Sequence, residues 1–483
     1  MAGITIVGLG PGAPELLTRA AWQILSDASE IWLRTLHHPV VAALPPDLTL
    51  HSFDALYEKA DTFAEVYAGI VARILELGAR PEGVLYAVPG HPLVGEAAAQ
   101  QLLTAAREQG LPVRLVAGLS FVEPLLSALG VDALDGLQLV DALDLTLVHH
   151  PPLDPDLPAI IAQVYSRGVA SDLKLTLMHQ YADEQPVALV DAAGTAAERV
   201  VWLPLYELDR HDVGPLTSLY VPALPRVSGF AGLQETIARL RAPDGCPWDR
   251  EQTHESLRSN LLEETYEVLD AIDDGDPDHL CEELGDLLLQ IVLHTQIAVE
   301  DEHFRMADVI AGIDAKLKHR HPHVWGSVAV ADAEEVGHNW ETIKHEDRVA
   351  NGEAQRSVLA SIPLALPALA QAAAYSSRAQ RLGFDWPEIS GVVDKVHEEL
   401  AELAAAPDAP ARFAELGDLL FAVVNWARWL DIDPESALRE ANARFARRFA
   451  YLEAQARTRG TPLNVLSIEE LEAWWDAAKA TEG

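Results

Sequence analysis

Two stretches of this chain repeat one arrangement of carboxylates. The first is Glu263-Glu264-Thr265-Tyr266-Glu267, followed by Glu283-Leu284-Gly285-Asp286. The second is Glu398-Glu399-Leu400-Ala401-Glu402, followed by Glu415-Leu416-Gly417-Asp418. A spacing of three places Glu264 with Glu267, and Glu283 with Asp286, on one face of a helix; Glu399 with Glu402 and Glu415 with Asp418 follow the same rule. If the paired helices fold back on each other, four carboxylates meet. Like charges that close repel and raise one another's pKa unless a cation sits among them. Oxygen-only ligands suit Mg²⁺ or Mn²⁺ rather than zinc. One acidic pair on a helix is ordinarily a solvated face, but recurrence of the whole pattern points to a metal site in at least one copy.

The elements that position these groups are helical hairpins. Apolar residues recur three and four apart through the stretches, with no internal proline. Asp274-Gly275-Asp276-Pro277 is the turn of the first hairpin. An Ala/Pro-rich run from Ala404 to Pro410 makes the shorter turn of the second. Basic residues follow each hairpin at matching offsets: Lys316 and Arg320, with Asp314, after the first, and Arg444 and Arg448, with Asn442, after the second. A spacing of four keeps each basic pair on one side of its helix. These pairs read either as intrahelical salt bridging or as triphosphate capture, with guanidinium forks on phosphate oxygens and Lys as a point charge. Trp340, Lys344 and Arg348 add to the first set. His321-Pro322-His323 lacks neighbouring oxygen ligands and reads as a helix-ending turn rather than a zinc pair. Cys246 reads as part of a packed loop, since no nearby group activates it.

These segments resemble the MazG family of nucleoside triphosphate pyrophosphohydrolases, whose signature is EExxE, a spacer, then ExxD. Gly245-Cys246-Pro247-Trp248-Asp249, Gln252-Thr253-His254, Lys316-Leu317, Arg320-His321-Pro322-His323-Val324 and Trp340-Glu341 with Lys344 agree with it. The resemblance runs from about Phe230 to about Trp475. It implies two all-α helical-bundle repeats, at 230–352 and 357–483. It implies Mg²⁺ or Mn²⁺ on Glu264, Glu267, Glu283 and Asp286, and on Glu399, Glu402, Glu415 and Asp418. A water attacks the α-phosphorus, pyrophosphate leaves, and a (d)NTP becomes a (d)NMP. Glu263, and Glu398 in the second copy, would accept the water's proton, although a surface role for Glu263 is a comparable reading. Lys316, Arg320, Trp340, Lys344, Asn442, Arg444 and Arg448 would hold substrate. Bundles of this family often dimerise, which makes a homodimer an expectation, but a tandem repeat can satisfy the same packing within one chain.

The N-terminal part reads as α/β. Ile4-Thr5-Ile6-Val7 is a buried strand that runs into Gly8-Leu9-Gly10-Pro11-Gly12 and then a helix from about Glu15 to Ala28. That turn has neither the dinucleotide spacing nor a Walker lysine. Val84–Val88 ends at Pro89-Gly90-His91-Pro92, and Val113–Val116 ends at Ala117-Gly118-Leu119-Ser120. Loops at the carboxyl ends of such strands are where open α/β sheets bind ligands. In a second subdomain, from about Asp135 to Pro225, Leu173–Met178 and Val200–Leu205 read as strands. His179-Gln180-Tyr181 reads as a substrate-side loop, with a plain strand end as the alternative. The proline-rich run 220–229 reads as a linker.

These pieces resemble the tetrapyrrole (corrin/porphyrin) methylase family, and Arg34-Thr35-Leu36-His37-His38-Pro39 fits the YabN-like branch in which such a domain precedes MazG. The resemblance implies a domain over 1–225 that binds S-adenosylmethionine through Gly8, Gly10, Pro11, Pro89, Gly90, His91, Gly118 and Ser120. One position departs from the family: its common loop is Gly-Asp-Pro, and His91 stands in place of the Asp. That departure speaks against methyl transfer; the alternative to a hydrolase is an S-adenosylmethionine-dependent methyltransferase whose helical half senses nucleotides.

The whole chain sets outer bounds. Its 483 residues exceed one ordinary core and fit about three domains. The formal charge of −39, from 74 acidic and 35 basic residues, disfavours nucleic-acid binding, which relies on neutralising phosphates. Two cysteines make no disulfide framework and suggest a reducing compartment. With no signal segment and no apolar run of about 20 residues, the expectation is a soluble cytoplasmic protein without membrane contact.

Overall fold

The computed structural model describes residues 3–60, 62–350 and 357–481, apart from the side chains at 334, 338, 341, 345 and 348. The predicted repeat ends at Gly352 and Gly483, and the side chain of Arg348, lie outside the described residues. The chain divides into two compact units, Met1–Ala311 and Gly312–Gly483. The division falls within the helix Met306–Arg320, inside the predicted first repeat.

The first unit begins with a five-stranded parallel sheet of β1 (Ile4–Gly8), β2 (Glu30–Leu33), β3 (Thr49–Ser52), β4 (Val84–Val88) and β5 (Val113–Val116), in the order β3-β2-β4-β1-β5. A parallel sheet needs cover on both faces. Ile4, Ile6, Tyr86 and Val88 pack against Val66, Ile70, Ile74 and Leu102 of the helices Phe63–Gly78 and Ala97–Glu108. Val7 packs on the other side against Ala21 of the helix Arg19–Asp27. That helix starts later than the sequence suggests, because Thr18 caps it by accepting from the Ala21 amide and residues 14–16 form a separate turn.

A second sheet follows, of β6 (Gln138–Asp141), β7 (Ala159–Ala162), β8 (Pro186–Asp191), β9 (Arg199–Pro204) and β10 (Thr217–Val221), in the order β6-β7-β10-β8-β9. Only β6 and β7 pair in parallel. The predicted strand 173–178 is instead part of the helix Arg167–Leu177. Leu173, Leu175 and Leu177 alternate as a strand would. Yet Ala170, Leu173 and Leu177 are buried at helical spacing while Leu175 faces solvent, and Ser166 caps the start. His179 and Gln180 close that helix, and Tyr181 packs into the core of this subdomain, so the segment is neither a substrate-side loop nor a strand end.

After Val221 the described residues contain no strand. Asp156 Oδ1 accepts from the Ser228 and Gly229 amides and ties the linker to the second sheet's subdomain. The first acidic hairpin pairs Arg258–Asp274 with Pro277–Glu300. Ile237, Leu257, Val292, Leu293, Ile297 and Met306 form its apolar base.

The second unit is helical. It holds Ala333–Ala350, Ala368–Gln380, the second acidic hairpin Ile389–Ala405 with Ala409–Trp429, then Pro434–Arg459 and Ile468–Thr481. No helix among the described residues is long and apolar enough to cross a membrane.

Candidate functional site

Each hairpin is built by local signals at its turn. In the first, Gly275 ends the helix at φ +67°, a left-handed conformation that a side chain resists. Asp276 then accepts from the Asp278 and His279 amides, and Pro277 occupies the first helical turn, where its missing N–H costs nothing. In the second, Asp408 caps by accepting from the Ala411 amide. Both turns are short, so the helices return antiparallel and their acidic faces meet.

In the first hairpin, carboxylate oxygens of Glu264, Glu267 and Glu283 lie within 4.8 Å of one another. Burial raises the Glu264 pKa above its usual value, and the charges of Asp286, Glu267 and Glu283 raise it further. Asp286 therefore shares the field of this triplet. Glu283 also faces His279 Nε2 at 3.2 Å. Glu263 is exposed beside the group.

In the second hairpin two triplets share one residue: Glu398, Glu399 and Glu402, and Glu399, Glu415 and Asp418, each within 4.8 Å. Glu399 is 5% exposed, the only carboxylate of either quartet that is fully buried. Lys395 Nζ bridges it, 2.7 Å from Glu399 Oε1 and 2.7 Å from Glu398 Oε1. Hydrogen bonds to both raise the lysine's pKa. The Glu402 pKa is raised by lost hydration and then by Glu399, Glu415 and Glu398. The donor chemistry of both quartets fits Mg²⁺ or Mn²⁺: only oxygens, several within one coordination sphere, and a carboxylate held above its ordinary pKa that a divalent ion would relieve. Lys395 lies outside the acidic motif itself. Its spacing of four from Glu399, at the position where the first copy has Asn260, was the available signal.

The basic residues divide by role. Lys316 is exposed, and Asp314 pairs with Lys318 instead, at 2.9 Å. Arg320 lies over the Trp340 ring at 5.7 Å and 3.5 Å from Asp347, with its Nε buried and unpartnered. Lys344 Nζ sits 3.7 Å from the same ring centroid. Thus Arg320, Trp340 and Lys344 come together in the second unit. In the second copy Arg444 pairs within its helix with Glu440 at 2.6 Å, Asn442 is exposed, and Arg448 lies over Trp475 at 5.7 Å. Trp475 and Lys479 repeat the Trp-x-x-x-Lys spacing of Trp340 and Lys344. Lys479 pairs with Asp476 at 3.0 Å.

His321 Nδ1 bonds the Leu317 carbonyl and 322–325 form a short helix, so this histidine pair makes a turn. Cys246 donates its amide to the Leu240 carbonyl at 2.7 Å, inside a tight loop.

At the carboxyl edge of the first sheet, the three glycine loops pack on one another. Gly10 and Gly90 exchange backbone hydrogen bonds of 3.2 and 2.8 Å. A Cβ on Gly8 would come 2.4 Å from the Gly90 carbonyl, and one on Gly118 would come 2.3 Å from the same oxygen. A side chain at either glycine would break this loop-on-loop contact. Ser120 is buried, and its hydroxyl donates to Glu123 at 2.6 Å. His91 Nδ1 accepts from the Leu93 amide, while Pro89 and Pro11 are partly exposed at the rim. Next to these loops, Arg34 pairs with buried Glu96 at 2.5 Å and donates to the Tyr57 hydroxyl at 2.9 Å. Burial raises the Glu96 pKa against the pull of Arg34.

The chain matches the MazG nucleotide pyrophosphohydrolase domain over 252–325 and the Tetrapyrrole (Corrin/Porphyrin) Methylases over 3–209. It is 42% identical to the uncharacterized protein YabN of Bacillus subtilis (strain 168), across 100% of this chain and 99% of that one. It is 43% identical to the nucleoside triphosphate pyrophosphohydrolase/pyrophosphatase MazG of Thermotoga maritima, across 52% of this chain and 95% of the relative. It is 44% identical to the nucleoside triphosphate pyrophosphohydrolase of Escherichia coli (strain K12), across 51% and 95%.

Proposed function

This chain belongs to the YabN-like family, a tetrapyrrole methylase domain followed by a MazG pyrophosphohydrolase region, and on that premise we propose that its helical half hydrolyses nucleoside triphosphates to monophosphate and pyrophosphate with Mg²⁺ or Mn²⁺. The observation that carries this reading is the convergence of carboxylate triplets in both hairpins, within 4.8 Å.

When bound, the divalent ion supplies Lewis acidity to the phosphates and to the attacking water. Glu264, Glu267, Glu283 and Asp286 would hold it in the first hairpin, and Glu399, Glu402, Glu415 and Asp418 in the second. The exposed carboxylates of Glu263 and Glu398 take the water's proton as its oxygen attacks the α-phosphorus. The bond from that phosphorus to the bridging oxygen breaks, and pyrophosphate departs. In the second unit Arg448 and Arg444 balance charge on the departing phosphates, Arg444 by leaving Glu440. Trp475 fixes the Arg448 guanidinium by stacking, as Trp340 fixes Arg320. Asn442, Lys316 and Lys344 supply further polar contacts to substrate.

The N-terminal domain is read as a binding domain for S-adenosylmethionine through its loops at Gly8–Pro11, Pro89–His91 and Gly118–Ser120, on family membership; calorimetric titration with that ligand tests it, and absence of heat removes it. The hydrolase reading is tested with Glu264→Gln, Glu399→Gln and the double variant, assayed for pyrophosphate on a nucleotide panel with Mg²⁺. The double variant should lose at least about a hundredfold in rate, as removal of ligands from catalytic metal sites does. Undiminished release in the double variant would reject the reading.

A further inference from the structure

The two hairpins carry the same acidic pattern but not the same cation. We infer that Lys395 is a tethered counter-ion that competes with the divalent ion for Glu399, so that the first hairpin loads metal at lower concentration than the second. The inference rests on the metal reading above and deepens it, by giving the chain two centres graded in their demand for metal.

Three observations carry it. Lys395 Nζ bonds Glu398 and Glu399 at 2.7 Å each, so its ammonium sits on the one residue shared by both triplets of the second hairpin. Glu399 is buried, and a buried carboxylate requires a partner, which this lysine supplies without any metal. The first hairpin has Asn260 at the corresponding place, and among the described residues no Lys or Arg pairs with Glu264, Glu267 or Glu283. Its one basic neighbour is His279, 3.2 Å from Glu283, which is charged only when protonated.

A divalent ion entering the first hairpin gains four carboxylates that, among the described residues, have no lysine or arginine as counter-charge. One entering the second must first move an ammonium off Glu399, which loses two charge-assisted hydrogen bonds. The carboxylates are alike in number and spacing, so the lysine is the term that separates the two affinities. The same tether keeps the second hairpin closed and charge-balanced when metal is scarce, where the first is left with unrelieved repulsion.

The test titrates Mn²⁺ calorimetrically into the full chain in two backgrounds. E399Q/E402Q leaves the first hairpin intact, and E264Q/E267Q leaves the second. The first background should bind Mn²⁺ about tenfold more tightly, the scale set by charge-assisted hydrogen bonds that must be released. Adding Lys395→Asn to the second background should close that gap, and adding Asn260→Lys to the first should open one of the opposite sense. Thermal unfolding of each variant shows that the hairpin is still formed, and the reciprocal Asn260→Lys arm decides if the Lys395 variant unfolds. Equal affinity in the two backgrounds, or no tightening on Lys395→Asn together with no weakening on Asn260→Lys, overturns the inference. Failure of the first background to bind Mn²⁺ at all overturns the metal reading itself, a result distinct from the first.

Discussion

The first and second acidic hairpins hold corresponding carboxylates by different means. The first leaves Glu264 protonation-prone, pressed by burial and by Asp286, Glu267 and Glu283. The second buries Glu399 and neutralises it with Lys395. Their supports differ as well. The helix ahead of the first hairpin is fixed by Arg241, whose guanidinium reaches Glu300 at 2.7 Å and the backbone carbonyls of Asp249 and Gln252. The second is fixed by Asp385, which takes both its oxygens to Arg428 at 2.8 and 2.7 Å and accepts from Trp429 Nε1 at 3.1 Å. The lesson is that the two hairpins carry the same set of carboxylates, while each has its own way of balancing charge and tying its opening loop.

Substitutions sharpen this comparison, and the largest effect belongs to the Asp385 tie. Arg428 and Asp385 side chains are 12% and 14% exposed, so Asp385→Ala leaves a nearly buried guanidinium with the neutral Asn425 oxygen in place of its counter-charge, and an indole N–H without its acceptor. Breaking such a pair costs about 3 kcal/mol. Glu300→Ala in the first copy should cost only about 1 kcal/mol, because Glu300 is 37% exposed and Arg241 keeps its carbonyl partners. Urea unfolding of the two variants gives the ranking, and equal losses would break the contrast.

The hairpin turns give a smaller difference. Gly275→Ala should destabilise by about 1 kcal/mol, since alanine resists the left-handed conformation there. The corresponding C-cap of the second hairpin, Ala406, has φ −59° and needs no glycine, so Ala406→Gly should cost only a few tenths of that through the unfolded chain.

The smallest effect is a pH response confined to one copy. His254 and His294 meet Nδ1 to Nδ1 at 2.8 Å, and burial, then His254, lowers the His294 pKa below 6.5. A histidine with a lowered folded pKa takes its proton more readily when unfolded. The penalty is absent above the ordinary value and grows as pH falls through it toward the lowered one. Protection of the amides along Pro277–Glu300, taken relative to the intrinsic exchange rate at each pH, should therefore fall below about pH 6.5, while protection along Ala409–Trp429 should not respond, Trp426 standing where the first copy has His294. His294→Phe should remove the response; an unchanged response would assign it to another group.

Much of this architecture was legible before any coordinates. The Asp274-Gly275-Asp276-Pro277 turn was readable because caps act within four residues. The parallel strands ending at Gly8, Val88 and Val116 were readable because β-branched runs bounded by glycine are a local signal. Leu173–Leu177 misled for the same reason: alternating leucines satisfy a period of two, and only packing of Ala170, Leu173 and Leu177 against the second sheet's core selects the helix. Trp475 and Lys479 stand in the sequence at the spacing of Trp340 and Lys344, a repeat as local as the acidic one. Lys395 could be seen four residues before Glu399, but the identity of its partner could not, because a flexible ammonium chooses among neighbours by three-dimensional field.

The sequence by itself determined that carboxylates occur in i, i+3 pairs on helices that turn back, since helical periodicity and capping are properties of adjacent residues. Tertiary structure alone decided which oxygens converge, that Glu399 is buried under an ammonium while Glu264 is not, that Arg320 and Arg448 lie on tryptophan rings, and that Gly8 and Gly118 serve each other's loops. Those outcomes depend on how elements distant in the chain rotate and pack, and on charges summed across the space between them, which no local pattern encodes.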